Sequence, residues 1–495
     1  MIIMNKTTIK KKHSTHKNNI QYRKLRRWVL PAVLGAALST LAMLPTFAAE
    51  TQTNANVATV TTTTVPSAQG STPQNSAPHG KPPAGQPPTA PPNGHQNGAP
   101  PADMQNGTPA GMAPQAEVDP STFTGTFVVT EDKSMAHELI TNTTPDQNAF
   151  IAKNKAVVNI ENSVFDKTGN TTSDDNSNFR GQNAVVLGID GSQINIKGSN
   201  ITSNSNGSNA VFATGEGSVI NVENTNIHTK GDSSRGLDAT YKGTVNGKNL
   251  TITTEGAHSA TLATDRGEGT ITAEAAKLTT SGAGSPVIYS TGNITANNVN
   301  GIANNSEIGV VEGKNSITLT NSNVTGYKDN GFMLYQSFSG DAESGIARLK
   351  AENNTLTTHS TGAFIYVNNT TAEVDLTGNT ILMPNTTTLV KAAADSRWGN
   401  TGENGGHLTL RASNQELSGN IVADSISTIA LDMTNGSSLV GAINTDNTAK
   451  EVTVKLSKDS SWTLTGDSYV KSLTNEDTTG SNIHLNGYKL VVADK

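Results

Sequence analysis

Cysteine is missing from all 495 residues. That excludes disulfide staples and thiolate-held metal, so stability has to come from packing and hydrogen bonding. Histidine offers no substitute. His79, His95, His137, His228, His258, His359, His407 and His484 show no metal-ligand spacing. Aromatic residues make up only 4% of the chain. Basic charge also runs short once the N-terminus is set aside. Nine of the 35 Lys and Arg residues precede Trp28, which leaves 26 against 41 Asp and Glu, a balance of −15. Such a chain is a poor match for nucleic acid, whose phosphates select basic surfaces. It is compatible with Ca²⁺ and with neutral or cationic partners.

What is present begins with a basic stretch from Lys6 to Arg27, an apolar run from Trp28 to Leu44, and small residues at Thr46 and Ala48. This pattern reads as an export signal over residues 1–48. The apolar run spans 17 residues and contains Pro31, which is short for a membrane span. Residues 49–118 form a Pro/Thr/Gly-rich linker, and 14 of the 19 prolines lie between residues 49 and 120. A segment so poor in large apolar side chains cannot offset its own ordering entropy. It is expected to be a disordered, extended tether holding the remainder off a cell surface.

From Ala156 the chain repeats. An apolar–polar–apolar segment begins at Val158, Ile194, Ile220, Val245, Ile271, Ile294, Ile317, Leu349 and Val374, with weaker copies at Leu408, Ile429 and Val452. Each is followed by an Asn/Gly-rich turn, one more apolar residue and often Thr-Thr. A short segment such as "NAVFA" or "GAFIY" precedes each copy. The alternation indicates strands. Most spacings fall between 21 and 26 residues, too few for a propeller blade, and the leucine-rich consensus is absent. The fold expected is all-β: a right-handed parallel β-helix of about a dozen coils stacked roughly 4.8 Å apart. Residues 119–155 would form an N-terminal cap, 156–459 the helix, and 460–495 the last coils and cap. Asn159, Asn195, Asn221, Asn246, Thr272, Thr295 and Thr318 should align as one outward column. A second column, Thr202, His228, Thr253, Thr279, Thr325 and Thr357, is broken between Thr279 and Thr325, which weakens any ice-binding reading.

The tail "SSWTLTGDSYVKSL" (Ser460–Leu473) followed by "SNIHLNGYKLVV" (Ser481–Val492) resembles the last coils of bacterial secreted and surface β-helix proteins, adhesin-like and autotransporter-passenger-like. The resemblance covers about three quarters of the chain. It implies an exported protein at the cell surface or outside the cell. The resemblance is expected to hold without a translocator barrel, and no sorting signal or lipidated Cys is read in these residues.

Solenoids place function on insertions. Three stand out: Asp166–Gln182, Gln336–Arg348 and Asp395–Gly406. The last two should emerge from one edge, two coils apart, and could wall a shallow groove. The candidate ligand-binding residues there are Tyr335, Gln336, Asp341, Glu343, Tyr366, Asp395, Arg397, Trp398 and Glu403. Sugars bind where an aromatic face meets polar groups, so an extracellular glycan or surface receptor is the partner expected. Trp398 has an equally bland reading as a cover over the coil edge. Asp174 and Asp175 are the candidates for Ca²⁺; no other cofactor is expected. The catalytic signatures of polysaccharide lyases and glycoside hydrolases, which share this architecture, are absent, so no catalytic residue is assigned and binding is favoured over catalysis. A structural rod of a surface layer or biofilm matrix, with lateral self-association, and a polysaccharide lyase or glycoside hydrolase are the alternative readings.

Overall fold

The computed structural model describes residues 118–493. The export signal and nearly all of the Pro-rich tether lie outside the described residues. Within them the chain winds into a parallel β-solenoid in which each turn contributes a strand to each of three sheets. The first sheet has 12 strands, from Gly125–Val129 to Asn420–Ala423, and the second has 14, from Lys133–Ala136 to Ser472–Asn475. The third has ten, from Leu139–Asn142 to Thr380–Leu382, and a four-stranded sheet from Glu416–Ser418 to Ile483–His484 follows it. A bridge between Ile421 and Ile443 and a final two-stranded pair extend the first face. The stack therefore has about 15 turns, more than the dozen expected. The excess lies at the ends, where stretches read as caps also contribute rungs.

The repeat dictates the register. Val158, Ile194, Ile220, Val245, Ile271, Ile294 and Ile317 pair in sequence along the second sheet. Their side chains are all but fully buried. One copy is offset: Val374 pairs with Leu410, and Leu408 pairs with Ala372. The strands here are eight residues long instead of five. A two-residue slip keeps every side chain on its own face, so alternation alone could not exclude it.

Between the inward residues, the Asn/Thr column forms as expected. Asn195 Nδ2 donates to Asn159 Oδ1 at 2.8 Å, Asn221 to Asn195 at 2.8 Å and Asn246 to Asn221 at 2.9 Å. Thr272 Oγ1 then donates to Asn246 Oδ1 at 2.7 Å. Beyond Thr318 the same column changes chemistry and alternates in charge: Lys350, Asp375, Arg411, Asp432 and Lys455. In the third sheet, the residue breaking the Thr column is Ile302, which is exposed.

The bend from second to third sheet is made by one left-handed residue per turn. Asn162, Gly198, Asn224, Asn249, Ala275, Asn298, Asn321, Asn353, Gly378 and Asn414 all have φ between 48° and 62°. Asn and Gly tolerate this region best, which accounts for the Asn/Gly periodicity of the sequence. The residue after each bend points inward. Toward the C-terminal half these form a buried polar ladder: the Ser322 N–H donates to Asn354 Oδ1, Asn354 to Asn379 Oδ1, and Asn379 to Gln415 Oε1, at 2.8–3.0 Å. Each otherwise orphaned backbone donor is thus satisfied by the next turn.

The first sheet differs from the other two because many of its strands are buried on both faces. Something must cover its outer side, and the insertions do so.

Candidate functional site

The first insertion folds as a helix, α1 (Asp174–Arg180), where a loop was expected. Ser173 caps its N-terminus, Asp174 and Asp175 occupy the first turn, Arg180 the last, and Gly181 closes it in the left-handed region. These signals were present in the sequence but were hidden by the strand-dominated repeat. A Cβ on Gly181 would lie 2.6 Å from Leu187 and 2.7 Å from Phe212, so the capping glycine is also a packing requirement. Asp174 and Asp175 serve the helix start. Among the described residues, no group of three or more His, Asp or Glu side chains is placed to hold a metal ion.

Under α1 and the second insertion lies a charged cluster that sequence reasoning did not find. Its members come from successive rungs of the first sheet. Arg235 Nη2 lies 2.9 Å from Asp265 Oδ2, and Arg235 Nε lies 3.7 Å from Asp238. Its Nη1 donates to Asn178 Oδ1 of α1 at 2.7 Å. Arg266 stacks over Phe179 of α1 at 3.7 Å and donates to Asp341 of the second insertion at 2.6 Å. Tyr289 and Tyr335 each donate to Glu312 Oε2 at 2.8 Å, and Ser337 donates to its other oxygen. Both oxygens of Asp238 are buried with no hydrogen-bond partner among the described residues. The Asp265 oxygen touches Arg235 but lies off the hydrogen-bonding direction.

Asp238 and Asp265 flank Arg235, and Asp341 pairs with Arg266; burial dominates the chemistry of the first two. Burial pushes Asp265 up to about 7; Arg235 opposes this, while Asp341 and Glu312 reinforce it. Burial raises Asp238 well above the usual carboxylate range, against the pull of Arg235. Burial would lower Arg235, but Asp265 and Asp238 more than offset it. The consequence for stability has a definite sign. Asp265 holds its proton in the folded state at pH values where the unfolded chain has released it, so stability falls as pH rises from about 4 to about 7. Glu307, raised to about 7 mainly by burial, acts in the same direction. Melting curves of Asp265→Asn and the unsubstituted protein should therefore converge at low pH and separate toward neutrality, with the variant less sensitive to pH. Parallel curves would show that Asp265 does not titrate in this window.

The second and third insertions do meet at one edge, following first-sheet strands two rungs apart. The Trp398 ring stands 5.4 Å from that of Tyr335, and Asn369 Nδ2, from the rung between, donates to the Gln336 carbonyl at 2.7 Å. Trp398 is half-buried against a cluster of Val310, Met333, Tyr335, Ala363, Tyr366 and Ala393. Tyr335, Tyr366 and Asp341 are buried, and Gln336 and Asp395 are half-buried. Glu343, Arg397 and Glu403 are exposed. Several have partners already: Tyr335 with Glu312, Asp341 with Arg266, Glu343 with Lys314 at 2.6 Å, and Arg397 with Asp395 at 3.1 Å. The insertions thus close over the sheet, leaving Glu343, Arg397 and Glu403 exposed.

Four buried polar atoms at this edge have no hydrogen-bond partner among the described residues: Gln336 Oε1, Asn368 Oδ1, Trp398 Nε1 and Asn404 Oδ1. The loop backbone is otherwise well held. Asn404 Nδ2 donates to the Asp395 and Trp398 carbonyls at 2.7 Å, and Asn368 Nδ2 to the Ala393 carbonyl at 2.9 Å.

No protein-family model matches this chain. A search of curated proteins finds no match either. The β-helix architecture is therefore carried by the geometry of the chain itself.

Proposed function

We propose that this protein is an exported, cell-surface or extracellular adhesin-like protein that binds glycan without catalysis at the edge formed by Gln336–Arg348 and Asp395–Gly406. The observation that carries the reading is that Gln336 Oε1, Asn368 Oδ1, Trp398 Nε1 and Asn404 Oδ1 are all buried without a hydrogen-bond partner among the described residues, at the edge that carries the Tyr335–Trp398 ring pair. A buried donor or acceptor without a partner costs about 1–3 kcal/mol. A small shift of the 395–406 loop would offer these atoms to the hydroxyls of a sugar, with the indole as its apolar platform. Export is supported by the N-terminal sequence pattern.

A glycan array probed with the protein tests this. Trp398→Ala should abolish the signal and leave the melting temperature within a few degrees. Normal binding with earlier melting would make Trp398 a cover residue and end the proposal. Release of unsaturated or reducing sugar from a polysaccharide would overturn the non-catalytic part.

A further inference from the structure

We infer that the outer face of the second sheet carries a second binding site, for a linear, uncharged polysaccharide lying along the stack. It is separate from the loop edge and does not depend on it. A trough of about 530 Å³ runs along six rungs there, from Asn159 to Thr295. One wall is the Asn/Thr ladder. Asn195, Asn221 and Asn246 each spend one amide N–H on the preceding rung and retain a second, which repeats a donor over these three rungs at a spacing of roughly 4.8 Å. The ladder also holds these amides in a single orientation, so a ligand need not order them.

The other wall is formed by Glu161, Lys197, Glu223, Lys248 and Glu274, which pair in register on consecutive rungs. Their signs alternate, with Lys197 3.9 Å from Glu223 and Lys248 3.3 Å from Glu274. These exposed pairs add little to stability. They do give the trough alternating donors and acceptors, and three carboxylates against two ammonium groups leave a net charge of only −1, too little to draw in a polycation strongly and of the wrong sign for a polyanion. A lining that repeats every rung matches a polymer of regular repeat better than a compact molecule. The trough has a definite end, because beyond Thr318 the ladder column becomes Lys350, Asp375 and Arg411.

Affinity electrophoresis of the full chain through gels containing hydroxyethyl cellulose, polygalacturonate or a cationic dextran tests the proposal. Retardation is expected in the neutral gel alone. Asn221→Trp, an outward substitution that fills the trough, should weaken it about tenfold. Asn195→Ala with Asn246→Ala should weaken it similarly, with unchanged circular dichroism. Trp398→Ala should leave it intact, which separates this site from the loop edge. Stronger retardation in either charged gel, no retardation in the neutral one, or indifference to Asn221→Trp would each overturn the inference.

Discussion

Trp462→Ala is expected to cost about 3–5 kcal/mol, the range for emptying a large buried aromatic site. Trp462 is the largest fully buried side chain among the described residues. It sits between Leu439 and Ile483 in neighbouring rungs, and its Nε1 donates to the Gly441 carbonyl at 2.9 Å. The loss should be local. In a solenoid each turn is stabilised chiefly by its neighbours, so hydrogen exchange should accelerate from about Gly441 to Val492 while rungs between Val186 and Ala303 keep their protection. Trp462→Phe keeps much of the packing but strands the Gly441 carbonyl, and should fall between the two. Exchange that rose evenly along the whole stack would show that the turns unfold as one unit.

Arg235→Met should be comparably severe, about 3–5 kcal/mol, because it removes the cation from between two buried carboxylates. Asp238 and Asp265 would then face each other uncompensated, and α1 would lose the contact to Asn178. Three readouts define the effect: denaturant unfolding, proteolysis between residues 170 and 183, and the pH dependence of both. The defect should shrink at pH 5, where both carboxyls hold protons in the variant, and adding Asp238→Asn should recover part of the loss. An Arg235→Met protein with unchanged unfolding and an uncut helix would mean that the cluster does not anchor the insertion.

The two substitutions differ in how readable their sites were. Trp462 lies in a tail whose pattern already resembled the last coils of a β-helix. The periodic strands, their inward apolar pairs and the Asn/Thr column were all legible, because a parallel stack places chemically equivalent residues one above another. The Asn/Gly bends were legible too, since the left-handed region admits few other residues easily. The pairing of Val374 with Leu410 was not, because a slip of two residues leaves the alternation unchanged. Arg235, Asp238, Asp265 and Glu312 gave no signal in the sequence. They are scattered over four turns and look like ordinary polar residues of short strands.

The candidate edge divides in the same way. That Gln336–Arg348 and Asp395–Gly406 share an edge followed from the repeat count, because both interrupt the same step of the turn. Which of their residues face solvent did not follow. Tyr335, Asp341 and Tyr366 are buried because the first sheet has an outer side that needs covering. Covering depends on residues far apart in sequence, such as Phe179 meeting Arg266 and Arg266 meeting Asp341.

The sequence by itself therefore determined the solenoid, its rung chemistry and the location of its insertions, since these depend on local alternation and on a short repeat. Only the tertiary structure decided which charges are buried, what α1 and the loops cover, and which polar atoms at the Trp398 edge lack partners among the described residues. Burial and desolvation are properties of the assembled surface, and no periodicity in the chain encodes them.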